Sequence, residues 1–116
     1  PEKGTLMSTY IISGNYSHEG IKGMMAKPSD RQAAVMPLIT GSGGKLVSYY
    51  VTTGAFDFQL TVETDDVQGL MAALIVAGAG GGVSNMQTVQ AFSAAEFMAA
   101  QKKAGGMAAG FKSAGQ

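Results

Sequence analysis

Between Gly43 and Glu63 apolar and polar residues alternate in the manner of a half-buried β-hairpin. Two runs rich in β-branched and aromatic residues, Lys45 to Thr52 and Ala55 to Glu63, flank a turn at Thr53-Gly54. In the second run Phe56, Phe58, Leu60 and Val62 fall on one face, while Asp57, Gln59, Thr61 and Glu63 fall on the other. Successive strand side chains alternate sides, so one face of this sheet meets a core. The other offers polar groups to water, to a ligand or to another protein surface.

The same patterning can be followed along the rest of the chain. Thr9 to Ser13 predicts a first strand bounded by Gly14-Asn15. Ser17 is placed to cap a helix with an acidic first turn and with Ile21, Met24 and Met25 on one side. Pro28 interrupts that helix and Ser29-Asp30 restart it through Met36. Pro37 is expected to kink or end the second piece, because proline removes a helix hydrogen bond and crowds the preceding turn. Gly41 to Gly44 is a loop, and the hairpin follows it. Thr64 and Asp65 are capping candidates for a helix from Asp66 to about Ala77, with Val67, Leu70, Met71, Leu74 and Ile75 at helical spacing. Gly78 to Gly82 breaks it, and Val83 to Phe92 predicts a fourth strand. Ser93 then caps a helix from Ala94 to about Lys103. Past Gly105 the chain is rich in glycine and alanine, as expected of a mobile tail or a docking arm.

The predicted order is β-α-β-β-α-β with an extra C-terminal helix, the ferredoxin-like plan of an α+β domain. It implies an antiparallel four-stranded sheet with both main helices on one face. The expected division is a flexible leader over 1–8, one domain over 9–103 and a tail over 104–116. The sheet's second face stays open unless something covers it. Two such faces meeting make a dimeric α+β barrel, so a homo-oligomer is expected.

Composition narrows the function classes. The formal net charge is zero, with no basic stripe to displace counterions, which argues against nucleic acid as a partner. Charged residues make up only 14% of the chain, against about 25% in typical domains, leaving much of the surface free for subunit contacts. There is no cysteine, so disulfides, thiolate nucleophiles and thiolate metal sites are excluded. The longest apolar run, Leu70 to Gly82, is too short and too glycine-rich to span a bilayer. Pro1 to Met7 lacks a signal pattern, and the cytoplasm is the default location. Pro1 itself reads as part of the leader rather than as an N-terminal catalytic base.

At the hairpin, Gly43-Gly44-Lys45-Leu46, Tyr49-Tyr50 and Thr53-Gly54-Ala55-Phe56-Asp57 resemble the GYD-domain family of small bacterial proteins. Supporting positions are Thr9-Tyr10, Glu19-Gly20-Ile21-Lys22, Lys27-Pro28 and Ala91-Phe92-Ser93, so the likeness runs from about Thr9 to Lys103. The glycine, aromatic and aspartate that give the family its name correspond to Gly54, Phe56 and Asp57. Phe56 stands where a tyrosine is usual. The resemblance implies the dimeric α+β barrel and its oligomeric habit, but no activity.

The chemistry on offer is sparse. Gly54 to Asp57 reads first as structure: a glycine at positive φ, Phe56 packed below the helices, and Asp57 bonded to turn amides. Read functionally, Asp57, Gln59 and Thr61 are polar hooks on the open face; a pocket is expected at the mouth between the first helix and that face, with Asp57, Gln59, Tyr50 and His18 as the candidate ligand-binding set. His18 is the single histidine, and beside Glu19 it does not converge on a metal. Tyr49 and Tyr50 must point to opposite faces. The eight methionines read mostly as core filler. Arg31, the single arginine, suits either the surface or a clamp on an acidic ligand group. Gly78 to Gly82 follows a helix and precedes a strand, the reverse of a phosphate loop. No cofactor and no metal are expected. With general acid–base groups so poorly supplied, binding of a small ligand or an accessory role is favoured over catalysis. The alternative is a small barrel-type enzyme, such as a cofactor-independent oxygenase or isomerase.

Overall fold

A computed structural model describes residues 7–116. The elements run β1 (Ser8–Tyr16), α1 (His18–Ala26), α2 (Arg31–Gly41), β2 (Lys45–Val51), β3 (Phe58–Thr64), α3 (Val67–Ala79), β4 (Val83–Ala91) and α4 (Ala94–Met107), followed by a 3₁₀ turn at Ala108–Gly110. The four strands form one antiparallel sheet in the order β2-β3-β1-β4. The chain is thus an α+β fold of order β-α-α-β-β-α-β-α. Most of the expected leader lies outside the described residues, and Ser8 already belongs to β1.

Alternation holds in β3 from Phe58 onward. Phe58, Leu60 and Val62 are buried and Gln59 is exposed. Together with Ile12, Ile39 and Leu70 they form the core, flanked by Val35 from α2 and Leu74 from α3. Helices α2 and α3 therefore cover the same face of the sheet. Helix α1 buries no residue, and Ile21 and Met25 are exposed, contrary to their expected role as an inner stripe.

Two one-residue insertions set which side chains face inward. In β2, Leu46 pairs with Val62 but Ser48 pairs with Thr61, so Val47 is the extra residue of a bulge. The slip allows Leu46 and Tyr49, three positions apart, to share the helix face, and sends Tyr50 to the open face. In β4, Ser13 pairs with Gln87 and Asn15 with Ser84. The extra residue there coincides with Asn85, whose φ of 52° is left-handed, a region asparagine tolerates better than most residues. The Asn85 carboxamide donates to the Asn15 side chain at 2.9 Å, and Asn15 donates to the Ala55 carbonyl at 3.1 Å. The bulge, the central strand and the 52–57 loop are tied in this way.

Several local expectations need correcting. The hairpin's second strand begins at Phe58 and not at Ala55, so Phe56 and Asp57 belong to the connecting loop. That loop closes on itself: the Thr52 amide donates to the Asp57 carbonyl at 2.8 Å, and the Thr52 hydroxyl to the Phe56 carbonyl at 2.6 Å. Gly54 is not at positive φ; among the described residues the left-handed glycines are Gly43, Gly81 and Gly115. Gly14 does not end β1, which continues to Tyr16. A Cβ on Gly14 would sit 2.6 Å from Phe58 Cζ, so that glycine makes room for the ring across the sheet. Pro37 does not end α2, which runs on to Gly41. Burial of Ile39 beyond the proline holds the last turn, and exposed Ala33, which loses its amide partner, can bond water instead. Helix α4 likewise passes through Gly105 to Met107.

Helix α4 begins with a full capping box, in which Ser93 accepts from the Glu96 amide and Glu96 from the Ser93 amide. None of its residues is buried. The Cα radius of gyration is 18.2 Å, against about 13 Å for a compact domain of 100 residues, and the longest extent is 61 Å. Among the described residues no helix is long and apolar enough to cross a membrane.

Candidate functional site

The pattern of bulges places three aromatic rings side by side on the helix face of the sheet. Phe58 lies between Tyr16 and Tyr49, with ring centroids 5.2 Å from Tyr16 and 6.3 Å from Tyr49, the latter pair nearly parallel. The Tyr16 and Tyr49 hydroxyls are 2.8 Å apart and hydrogen-bonded. Burial, then the bond to Tyr16, holds the Tyr49 phenol well above its ordinary pKa, while the nearby Arg31 charge pulls weakly the other way. Tyr49 is therefore neutral throughout the physiological range.

These rings wall an apolar chamber of about 60 Å³ under α2 and α3, closed by Val35, Leu74, Val83 and Met86. Beyond Tyr16 lies a wider hollow of about 350 Å³ at the α1–α2 elbow, lined by Lys27, Ser29 and Arg31 together with the small residues Gly20, Gly23 and Gly82. Tyr16, Arg31 and Val83 line both, so the two hollows are adjacent. The glycines keep the elbow close to the β4 approach. A Cβ on Gly20 would sit 2.3 Å from the Gly82 carbonyl oxygen, which itself accepts the Ser17 amide at 2.9 Å. Ser17 caps α1 through the Gly20 amide and its hydroxyl donates to the Gly81 carbonyl.

The four residues singled out from the sequence do not converge here, and none lines either hollow. Tyr50 and Gln59 pair across β2 and β3 on the open face, where both are exposed. His18 is exposed at the start of α1. Asp57 sits at the sheet's end, where its carboxylate accepts the Tyr16 amide at 2.9 Å and its own amide donates to the Gly14 carbonyl at 2.8 Å. Asp57 thus orients Tyr16 from behind without reaching the cavity. Sequence reasoning missed Tyr16, because only the run of β1 past Gly14 puts it beside Tyr49. Among the described residues no three His, Cys, Asp or Glu side chains gather to hold a metal ion.

Chemically, the site offers an apolar chamber, a hydrogen-bonded pair of phenols at its wall and two cations beside it. It can hold and orient a small molecule. It presents no nucleophile next to a general base.

Among solved structures the chain is similar to TTHA0845 from Thermus thermophilus, at 20% identity and a TM-score of 0.48, over 75% of this chain and 95% of that one. No curated protein matches it. The family model of the GYD domain matches residues 10–100, a span that holds the whole sheet core, the paired tyrosines and both hollows. The chain belongs to the GYD-domain family.

Proposed function

We propose that this protein binds a small molecule between its sheet and its helices, and that it works as a homo-oligomer. One observation carries the binding reading: the Tyr16–Tyr49 hydroxyl pair lies in the wall of an apolar chamber that shares Tyr16, Arg31 and Val83 with an adjacent outer hollow. Pockets of this composition, apolar with a few placed polar groups, are the usual form of small-ligand sites. The chamber is smaller than the cavity of about 150 Å³ that accepts benzene, so it suits the end of a ligand whose bulk occupies the outer hollow.

The sheet order β2-β3-β1-β4, with α2 and α3 on one face, supports a ferredoxin-like plan. The opposite face carries Ile11, Tyr50, Gln59, Val89 and their neighbours with no helix over them, which supports closure by a second copy in the manner of a dimeric α+β barrel. Binding without catalysis is the reading that apolar walls and unactivated phenols support.

The test is a titration of isotope-labelled protein with 1-hexanol, a neutral short-chain probe. Saturable amide shifts are expected at Val35, Leu74 and Val83, and should be abolished in Leu74→Phe, which fills the chamber. Shifts absent from these positions, or unchanged in the filled variant, would overturn the reading.

A further inference from the structure

The outer hollow is chemically one-sided. Lys27, Ser29 and Arg31 stand at its rim, and neither hollow is lined by an aspartate or glutamate. The whole chain carries 8 basic and 8 acidic residues, so this asymmetry is local and not inherited from composition. Two carboxylates flank lining residues in sequence: Asp30, which caps α2 by accepting the Ala33 amide at 3.1 Å, and Glu19, which is exposed in the first turn of α1 and lines a separate hollow on the far side of Gly20 and Gly82.

The other polar groups at the junction are donors with hydrogen to spare. Arg31 is half-buried and donates one bond to Ser29 Oγ at 3.2 Å, leaving the remainder of its five-donor fork available. Ser29, accepting from Arg31, keeps its own hydroxyl hydrogen. Of the two phenolic hydrogens at Tyr16 and Tyr49, one joins the pair and the other is free. A planar, forked cation beside a hydroxyl, with a lysine lining the same hollow, matches a carboxylate, which accepts only and takes guanidinium in a bidentate manner.

We infer that the site takes a small amphiphilic carboxylate, its head among Lys27, Ser29 and Arg31 and its short apolar end passed beyond Tyr16 into the chamber. This inference rests on the ligand-binding reading and adds to it the class of ligand. A neutral molecule of the same shape fills the chamber but leaves the guanidinium charge of half-buried Arg31, bonded only to Ser29, without a counter-charge.

Hexanoate and 1-hexanol, which differ in the head and match in the chain, separate the two claims. Hexanoate is expected to bind at least tenfold more tightly than hexanol, with amide shifts at both Lys27–Arg31 and Val35–Leu74. Arg31→Gln should lose that tenfold advantage, and Lys27→Gln should lose part of it. Glutamine suits the first turn of α2 at position 31 and the cap position after α1 at 27 needs no charge, so an unchanged circular dichroism melt in both variants confirms that only the charge was removed. Hexanol binding with no preference for hexanoate overturns the carboxylate inference and leaves the binding reading intact. So does a preference that survives both substitutions. Hexanoate shifts confined to Lys27–Arg31, with none in the chamber for either probe, overturn both.

Discussion

Tyr49 shows how much a single position depends on its neighbours. Its phenol is half-buried beside Phe58 and bonded to Tyr16, and its folded-state pKa is raised above the ordinary value near 10. The neutral form is the one the fold stabilises, so this contribution is complete below about pH 10 and is lost as pH rises beyond it. Tyr49→Phe should therefore be a little less stable at neutral pH, since Tyr16 loses its partner, and should lose less stability than the parent between pH 9 and 11. Denaturant midpoints across that interval measure the difference; identical alkaline slopes would show that Tyr49 is not protected. The sequence revealed that Tyr49 and Tyr50 part to opposite faces, and the structure assigns Tyr49 inward and Tyr50 outward. It did not reveal Tyr16, because the pairing requires β1 to continue past a Gly-Asn pair that usually signals a turn.

The elements themselves were more legible than their ends. The periodicity of α3 and the caps at Ser17 and Ser93 could be read directly, since each depends on residues close in the chain, whereas α3 is capped by Asp66 and not by Thr64 or Asp65. Boundaries set by distant contacts could not. The start of β3 is delayed to Phe58 by bonds from Asp57 to Gly14 and Tyr16, and α2 outlasts Pro37 because Ile39 is held in the core. The survival of α2 has a measurable cost. Pro37 removes one helix bond and crowds the turn before it, a loss of about 3 kcal/mol in a regular helix relative to alanine. Pro37→Ala is expected to raise unfolding stability by about 1–3 kcal/mol, read from urea denaturation at constant m. An unchanged or lowered midpoint would mean that the helix has bent to accommodate the ring at no net cost.

At the level of the whole molecule, two surfaces lack a covering: the outer face of the sheet and the length of α4. The outer face was legible from the β3 alternation alone, because Gln59, Thr61 and Glu63 had to share a side. The standing-off of α4 was not, since its capping box and alanine-rich turns specify a helix without specifying what it rests on. Self-association through the sheet face predicts that sedimentation at micromolar concentration gives at least a dimer. Val89→Arg, on the open face of edge strand β4 opposite Ile11, should shift that equilibrium toward monomer without lowering the melting temperature of the domain. A monomer in the parent chain at the same concentration would refute it.

Helix α4 carries one more implication. At 14 residues, with Phe97, Met98 and Met107 turned to solvent, it is near the length at which an isolated helix is only marginally populated in water. Its order is therefore weakly secured by the domain from which it springs, and if a second surface covers it, that order is linked by mass action to concentration. Amide protection from hydrogen exchange is then expected to be lower along α4 than in the sheet and to rise with protein concentration.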